Sequence, residues 1–218
     1  MDKQQAQLDE LKEIRSLMEH SSRFLSLSGI AGVYSGITAL VGITSAYVYL
    51  DLWNNNLAYY ELINGSNGYN NKFASFLFVD SLIVLIVSIL IGVFFSIKKA
   101  KKIGSAKWDA TAKRMFINMA IPLVAGGIYA VILFYQGNIA LMAPSTLIFY
   151  GMALLNASKY TINDIRYLGM IEIMLGLTAS VFVEYGLLLW GLGFGVFHII
   201  YGLSIYFKYE RWKILSKI

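Results

Sequence analysis

Six apolar runs of about twenty residues each leave this chain few folds to choose from. A bilayer gives the backbone no water to bond to, so an uncharged run of that length is a helix with all its bonds made internally. The runs cover approximately Phe24–Leu50, Phe73–Ile97, Met115–Tyr135, Ile139–Ala157, Tyr167–Val183 and Leu187–Phe207. They take up most of the 218 residues, of which 57% are hydrophobic and 14% charged. Soluble domains run nearer a quarter charged. The expected fold is all-α: a six-helix transmembrane domain over residues 23–208, a cytoplasmic amphipathic arm at 1–22 and a short basic tail at 209–218.

Charge orients the spans. Seventeen of the eighteen Lys and Arg residues fall in the arm, in the loops after spans two and four, and in the tail. The opposite loops hold Lys72 alone. Basic loops stay in the cytoplasm, so both termini are expected inside, in a bacterial inner membrane. Trp53 and Trp190 near the outer ends, and Trp108 and Trp212 on the inner flanks, fit the aromatic belts of such a protein. The net charge of +5 sits beside the spans, where it meets anionic headgroups, and does not indicate nucleic acid. With no cysteine there is no disulfide and no Cys-ligated metal. Met1 to Arg23 is polar throughout and does not read as a cleavable signal peptide.

Within the arm, Leu8, Leu11, Ile14, Leu17 and Met18 recur at helical spacing. Such a stripe docks on the protein itself, lies on the membrane or captures a partner. The outer turns at Gln136-Gly137-Asn138 and Glu184-Tyr185-Gly186 are tight, which makes spans three and four, and five and six, antiparallel neighbours. Residues 51–72 form a long outer loop, where Asn64-Gly65-Ser66 matches an N-glycosylation triplet but reads equally as a turn. A short pattern recurs in odd spans at Gly36, Gly127 and Gly176, and in even spans at Gly92, Gly151 and Gly202. It suggests three hairpins of one orientation, although few residue types make apolar helices resemble one another.

Ionisable groups inside the membrane cost at least about 2.5 kcal/mol each and need a reason. Asp80, Glu172 and His198 are such groups. The flanking charges serve as a ruler at 1.5 Å per residue. Glu172 lies about 9 Å from Arg166, and His198 about 15 Å from Lys208. Each is about thirteen residues from the outer turn at Tyr185, which puts both at one inner depth. Asp80 is about 27 Å from Lys98, close to the outer interface, with Ser81 or an outer tyrosine as its expected partner. Glycines three and four residues from Glu172 and from His198 put both on faces that pack closely on protein. The pair is either a hydrogen-bonded glue between spans or a protonatable site. Asn118 lies at a similar depth and is a third member of the site. Two ligands are too few for a metal, and no cofactor is implied. Pro122 and Pro144 predict kinks with freed carbonyls.

No nucleophile elbow, Walker loop or dinucleotide fingerprint is present, so the reading is non-enzymatic. Gly191-Leu192-Gly193-Phe194-Gly195 lies in an apolar span and reads as helix packing.

The stretches Asn163-Asp164-Ile165-Arg166-Tyr167-Leu168-Gly169 and Gly195-Val196-Phe197-His198-Ile199-Ile200-Tyr201-Gly202, with Glu13-Ile14-Arg15-Ser16-Leu17-Met18-Glu19, resemble parts of an uncharacterised bacterial family of six-span membrane proteins. The resemblance covers most of the chain. It implies the same fold and carries no activity or ligand with it.

The expectation is therefore a multi-pass inner-membrane protein, a small transporter or channel-like protein with a site at Glu172, His198 and Asn118 and a secondary candidate at Asp80. Its partners are the lipid bilayer and a small solute or proton, with a homo-oligomer or a cytoplasmic protein partner left open and no nucleic acid. The alternative is a membrane sensor or scaffold that recruits a cytoplasmic partner through the arm and the basic loop.

Overall fold

The structure, a computed structural model, describes residues 28–49, 71–103 and 110–211. The arm at 1–22, most of the 51–72 loop with Asn64, and Trp53, Trp108 and Trp212 lie outside the described residues. There are no strands among those described. Helix α1 is Gly29–Tyr49, α2 is Asn71–Ile103, α3 is Ala110–Tyr135, α4 is Met142–Ser158 and α5 is Ile165–Val181. The last helix, α6, runs over 186–211 in four pieces: α-helical Gly186–Trp190, π-helical Gly191–Phe197, α-helical His198–Ile205 and π-helical Tyr206–Arg211. Among the described residues five segments are long and apolar enough to cross a membrane: Gly29–Tyr49, Ala74–Lys101, Ala110–Tyr135, Ile139–Ser158 and Val183–Glu210. The sixth, α5, has 17 residues.

The boundaries differ from the expected ones for local reasons. α1 starts at Gly29, whose N–H is bonded by Glu210 Oε1 at 2.8 Å. A carboxylate from α6 thus caps a helix start, where the dipole favours an anion. Lys99 of α2 reaches the same oxygen at 3.0 Å. Residues 209–211 are therefore part of α6, with Glu210 bonded in the bundle, rather than part of a tail. α3 ends where Gly137 takes φ 75, which only glycine adopts freely. Asn138 N–H then donates to Leu133 O and Gly137 N–H to Phe134 O, closing the helix end. Pro144 produces no mid-helix kink. It lies in the first turn of α4, where a missing N–H costs nothing. Pro122 lies inside α3.

The helices line up in spatial order α2, α1, α6, then α5 with α4, then α3. Close approach is made by glycine. A methyl at Gly202 would lie 2.6 Å from Gly29 O, and one at Gly36 2.7 Å from Gly195 O, so α1 and α6 touch backbone to backbone. α4 and α5 do the same, with a Gly151 methyl 2.6 Å from Gly169 O. α5 packs more extensively on α4 than on α6, its neighbour across the tight turn. The recurring glycines share no common role, since Gly92 and Gly127 face open space. Outward faces are apolar, above all on α2, where Val79, Leu82, Ile83, Leu85, Ile86, Ile89, Leu90 and Val93 are exposed. A patch of that extent belongs against hydrocarbon rather than water. Lys98, Lys99, Lys101, Lys113, Arg114, Lys159, Arg166 and Lys208 sit at the helix ends of one side, called the basic end below.

Two of the recurring glycines respond in opposite directions. Gly202→Ala is expected to destabilise the bundle by about 1–3 kcal/mol through overpacking. Gly127→Ala is expected to be neutral or to stabilise by up to about 1 kcal/mol through helix propensity. Reversible unfolding of the purified variants in mixed micelles reads both.

Candidate functional site

Glu172 is on the buried face of α5, one turn from Gly169 and from Gly176, both of which press on α4. That packing leaves its carboxyl group pointing at α6. Room for it comes from Gly193 in the π segment, where a methyl would lie 2.5 Å from Glu172 Oε2 and 2.7 Å from Leu147 Cδ2. Gly191 and Gly195 of the same segment meet Ile43 and Leu40 of α1 instead. The glycine run therefore admits a carboxylate on one side and a helix on the other. Sequence reasoning assigned the run to packing and missed its π form, a distortion frequent at functional sites.

Glu172 has no exposed surface and His198 only 6%. His198 Nδ1 lies 3.3 Å from Glu172 Oε1. The pair is in ion-pair range, yet the ring nitrogen is aimed elsewhere, at Gly193 O, 3.0 Å away. Neither carboxylate oxygen has a hydrogen-bond partner. A backbone carbonyl only accepts, so Nδ1 carries a proton. Nε2 lies 2.8 Å from Tyr150 Oη of α4 and accepts its proton while the ring is neutral. Phe194 completes the site, with its ring stacked on His198 at 5.8 Å between centroids.

Tyr150 was not singled out in the sequence, where it figured only beside Gly151. The charge ruler could have found it: it lies nine residues before Lys159, about 13 Å at 1.5 Å per residue, close to the depth of His198.

The other expected members lie elsewhere. Asn118 donates to Arg114 O and to Tyr160 Oη, beside a cluster of Ala112, Met115 and Ala157, and these contacts do not reach Glu172 or His198. Among the described residues Asp80 is bonded by Ser45 rather than by Ser81, and the outer-loop tyrosines lie outside the described residues. Its Oδ1 accepts from Ser45 Oγ of α1 at 2.9 Å, while Ser81 donates to Phe78 O. This bond ties α1 to α2 beside an open, mainly apolar groove lined by Leu40, Val41, Thr44, Val48 and Phe76. Among the described residues no group of three metal-ligating side chains occurs.

The fit between Gly193 and Glu172 is testable. Gly193→Ala is expected to cost about 1–3 kcal/mol. In the Glu172→Ala background the same change is expected to cost less, because the nearest clashing atoms are gone. A double-mutant cycle on unfolding free energies measures the coupling.

No protein-family model, no curated protein and no solved structure matches this chain, so what the site does is argued from its own chemistry.

Proposed function

We propose that the chain is an integral inner-membrane protein of six spans with both termini in the cytoplasm, and that Glu172, His198 and Tyr150 form a protonation site for a proton-coupled transport step. The observation that carries this reading is the Glu172 carboxyl group, fully buried with neither oxygen hydrogen-bonded. Buried polar groups are normally bonded, and intramembrane carboxylates without a partner mark proton and ion pathways. The acid sits at the junction of α4, α5 and α6, so a change at its carboxyl group is felt by all three helices.

α5 counts as the sixth span. Its 17 residues rise about 26 Å, within reach of a hydrocarbon layer of about 30 Å with flanking residues at the interfaces. It also packs closely on α4, itself apolar enough to span. The basic end then faces the cytoplasm. In this arrangement the site is sealed: packed side chains, not an open vestibule, surround Glu172. A transport site is expected to line a wet cavity; a packed pair counts toward the structural reading, and transport through it requires α4, α5 and α6 to part and expose Glu172. The scaffold alternative rests on the arm at 1–22 and on the basic loop, and the arm lies outside the described residues.

Both parts of the reading have direct tests. The natural chain has no cysteine, so single cysteines report without background. Asn138→Cys and Glu184→Cys are expected to react with an impermeant maleimide from the outer face, and Asn163→Cys and Ser216→Cys only after lysis. Opposite labelling overturns the orientation. In proteoliposomes with an internal pH dye, an imposed membrane potential is expected to drive proton uptake by the wild type. Glu172→Gln abolishes it, and equal uptake in both proteins overturns the site.

A further inference from the structure

Glu172 is reached from the basic end by a run of polar groups through an apolar cluster. At the surface, Asp164 Oδ2 accepts from Lys208 Nζ at 2.7 Å and from Tyr209 Oη at 3.2 Å. Deeper, the Tyr201 hydroxyl is buried and has no hydrogen-bond partner. Tyr201 packs against a cluster that includes Ile165, the residue after Asp164. Tyr201 and Tyr150 pack against the same cluster of Leu154, Ile165 and Leu168, together with Phe197. Tyr150 Oη then meets His198 Nε2 at 2.8 Å, and His198 Nδ1 lies 3.3 Å from Glu172 Oε1. Tyr201 is three residues from His198, about 4.5 Å along α6 toward the basic end. Among the described residues, His198 of α6 lies 3.3 Å from Glu172, and Tyr150 of α4 meets the other nitrogen of its ring.

We propose that Tyr201 and Tyr150 form the proton-access path that joins the basic end of the bundle to Glu172. A hydroxyl donates one hydrogen bond and accepts two, so each tyrosine can take a proton from one side as it gives up its own to the other, directly or through a water. The unbonded Tyr201 hydroxyl is the member with capacity free on both sides. A proton from bulk water enters at Asp164 and passes to Tyr201 and then Tyr150. Tyr150 hands its proton to His198 Nε2, and the Nδ1 proton swings from Gly193 O to Glu172 Oε1, 3.3 Å away, and is transferred there. One proton leaves the water and one is bound by Glu172. Both tyrosines end neutral, and the imidazole is left as the opposite tautomer, which the reverse transfer restores. Asp164 and Lys208 at the mouth keep a carboxylate and a mobile cation in contact with solvent.

This path rests on the protonation of Glu172 proposed above, and one experiment separates the two. The full-length chain in lipid nanodiscs is subjected to a pH jump, and the carboxyl stretching band is followed by time-resolved infrared spectroscopy. The band is assigned to Glu172 by its loss in Glu172→Gln. Tyr201→Phe removes a hydroxyl that no protein group bonds, so the fold should survive. It is expected to slow the rise of the Glu172 band about tenfold, equivalent to about 1.4 kcal/mol on the barrier, with amplitude and pH midpoint unchanged. Asp164→Asn at the mouth is expected to slow it as well, and carries the test if Tyr201→Phe misfolds. Tyr167→Phe, exposed on α5, leaves the rate alone. An intact Glu172 band whose rate is unchanged in Tyr201→Phe overturns the path and leaves the site standing. Absence of any Glu172 band across the titration overturns the site and the path together.

Discussion

A carboxyl group held away from water needs either a bonded partner or walls close enough to keep it in place, and Glu172 has the walls. α4 presses on α5 through Gly151, Gly169 and Gly176, which fixes the height and rotation of the acid. α6 approaches through Gly193, the position where a side chain would collide with the carboxylate. The π segment lets one helix serve two partners within two turns, presenting Gly193 to α5 and Gly191 and Gly195 to α1. Thus the placement of a single acid sets the local form of α6, and α6 in turn sets where α1 can lie.

α6 is also tied at its far end on both flanks. Lys208 and Tyr209 reach Asp164 beside the start of α5, while Glu210 caps α1 and pairs with Lys99 of α2. These contacts come from three consecutive residues of the terminal π segment, Tyr206–Arg211. The α1–α2 side and the α3–α4–α5 side are therefore joined through one helix. A change in how α6 sits on α5 would be felt at α1 through the glycine contacts at Gly29, Gly36 and Gly202.

The apolar helices and the common level of Glu172 and His198 could be read from the chain because both depend on local quantities, namely run length and distance from flanking charge. What escaped depends on which helix meets which. Ser45 as the partner of Asp80 follows from α1 lying beside α2, and a long connecting loop does not dictate that pairing. Asn118 shares the depth of the pair but not its side of the bundle, since depth says nothing of rotation about the axis. Pro144 was assigned to a helix interior because the start of α4 was placed three residues early, over what is a 3-10 turn. Tyr150 was hidden by its residue type: a tyrosine in an apolar helix reads as core or interface until its hydroxyl is seen against an imidazole.

Glue and proton site were the two readings of the acid and the imidazole, and the geometry bears on the first. A buried ion pair adds stability only when its alignment is good and the remaining polar atoms are satisfied; otherwise apolar side chains of the same size do as well or better. Here the ring nitrogen nearest Glu172 is spent on Gly193 O, and both carboxylate oxygens go without an aligned donor. As glue this is poor. The unmet desolvation is large against a total folding stability of about 5–15 kcal/mol. A buried acid without an aligned donor, beside an imidazole bonded to a tyrosine hydroxyl, is the arrangement on which the proposed proton site rests.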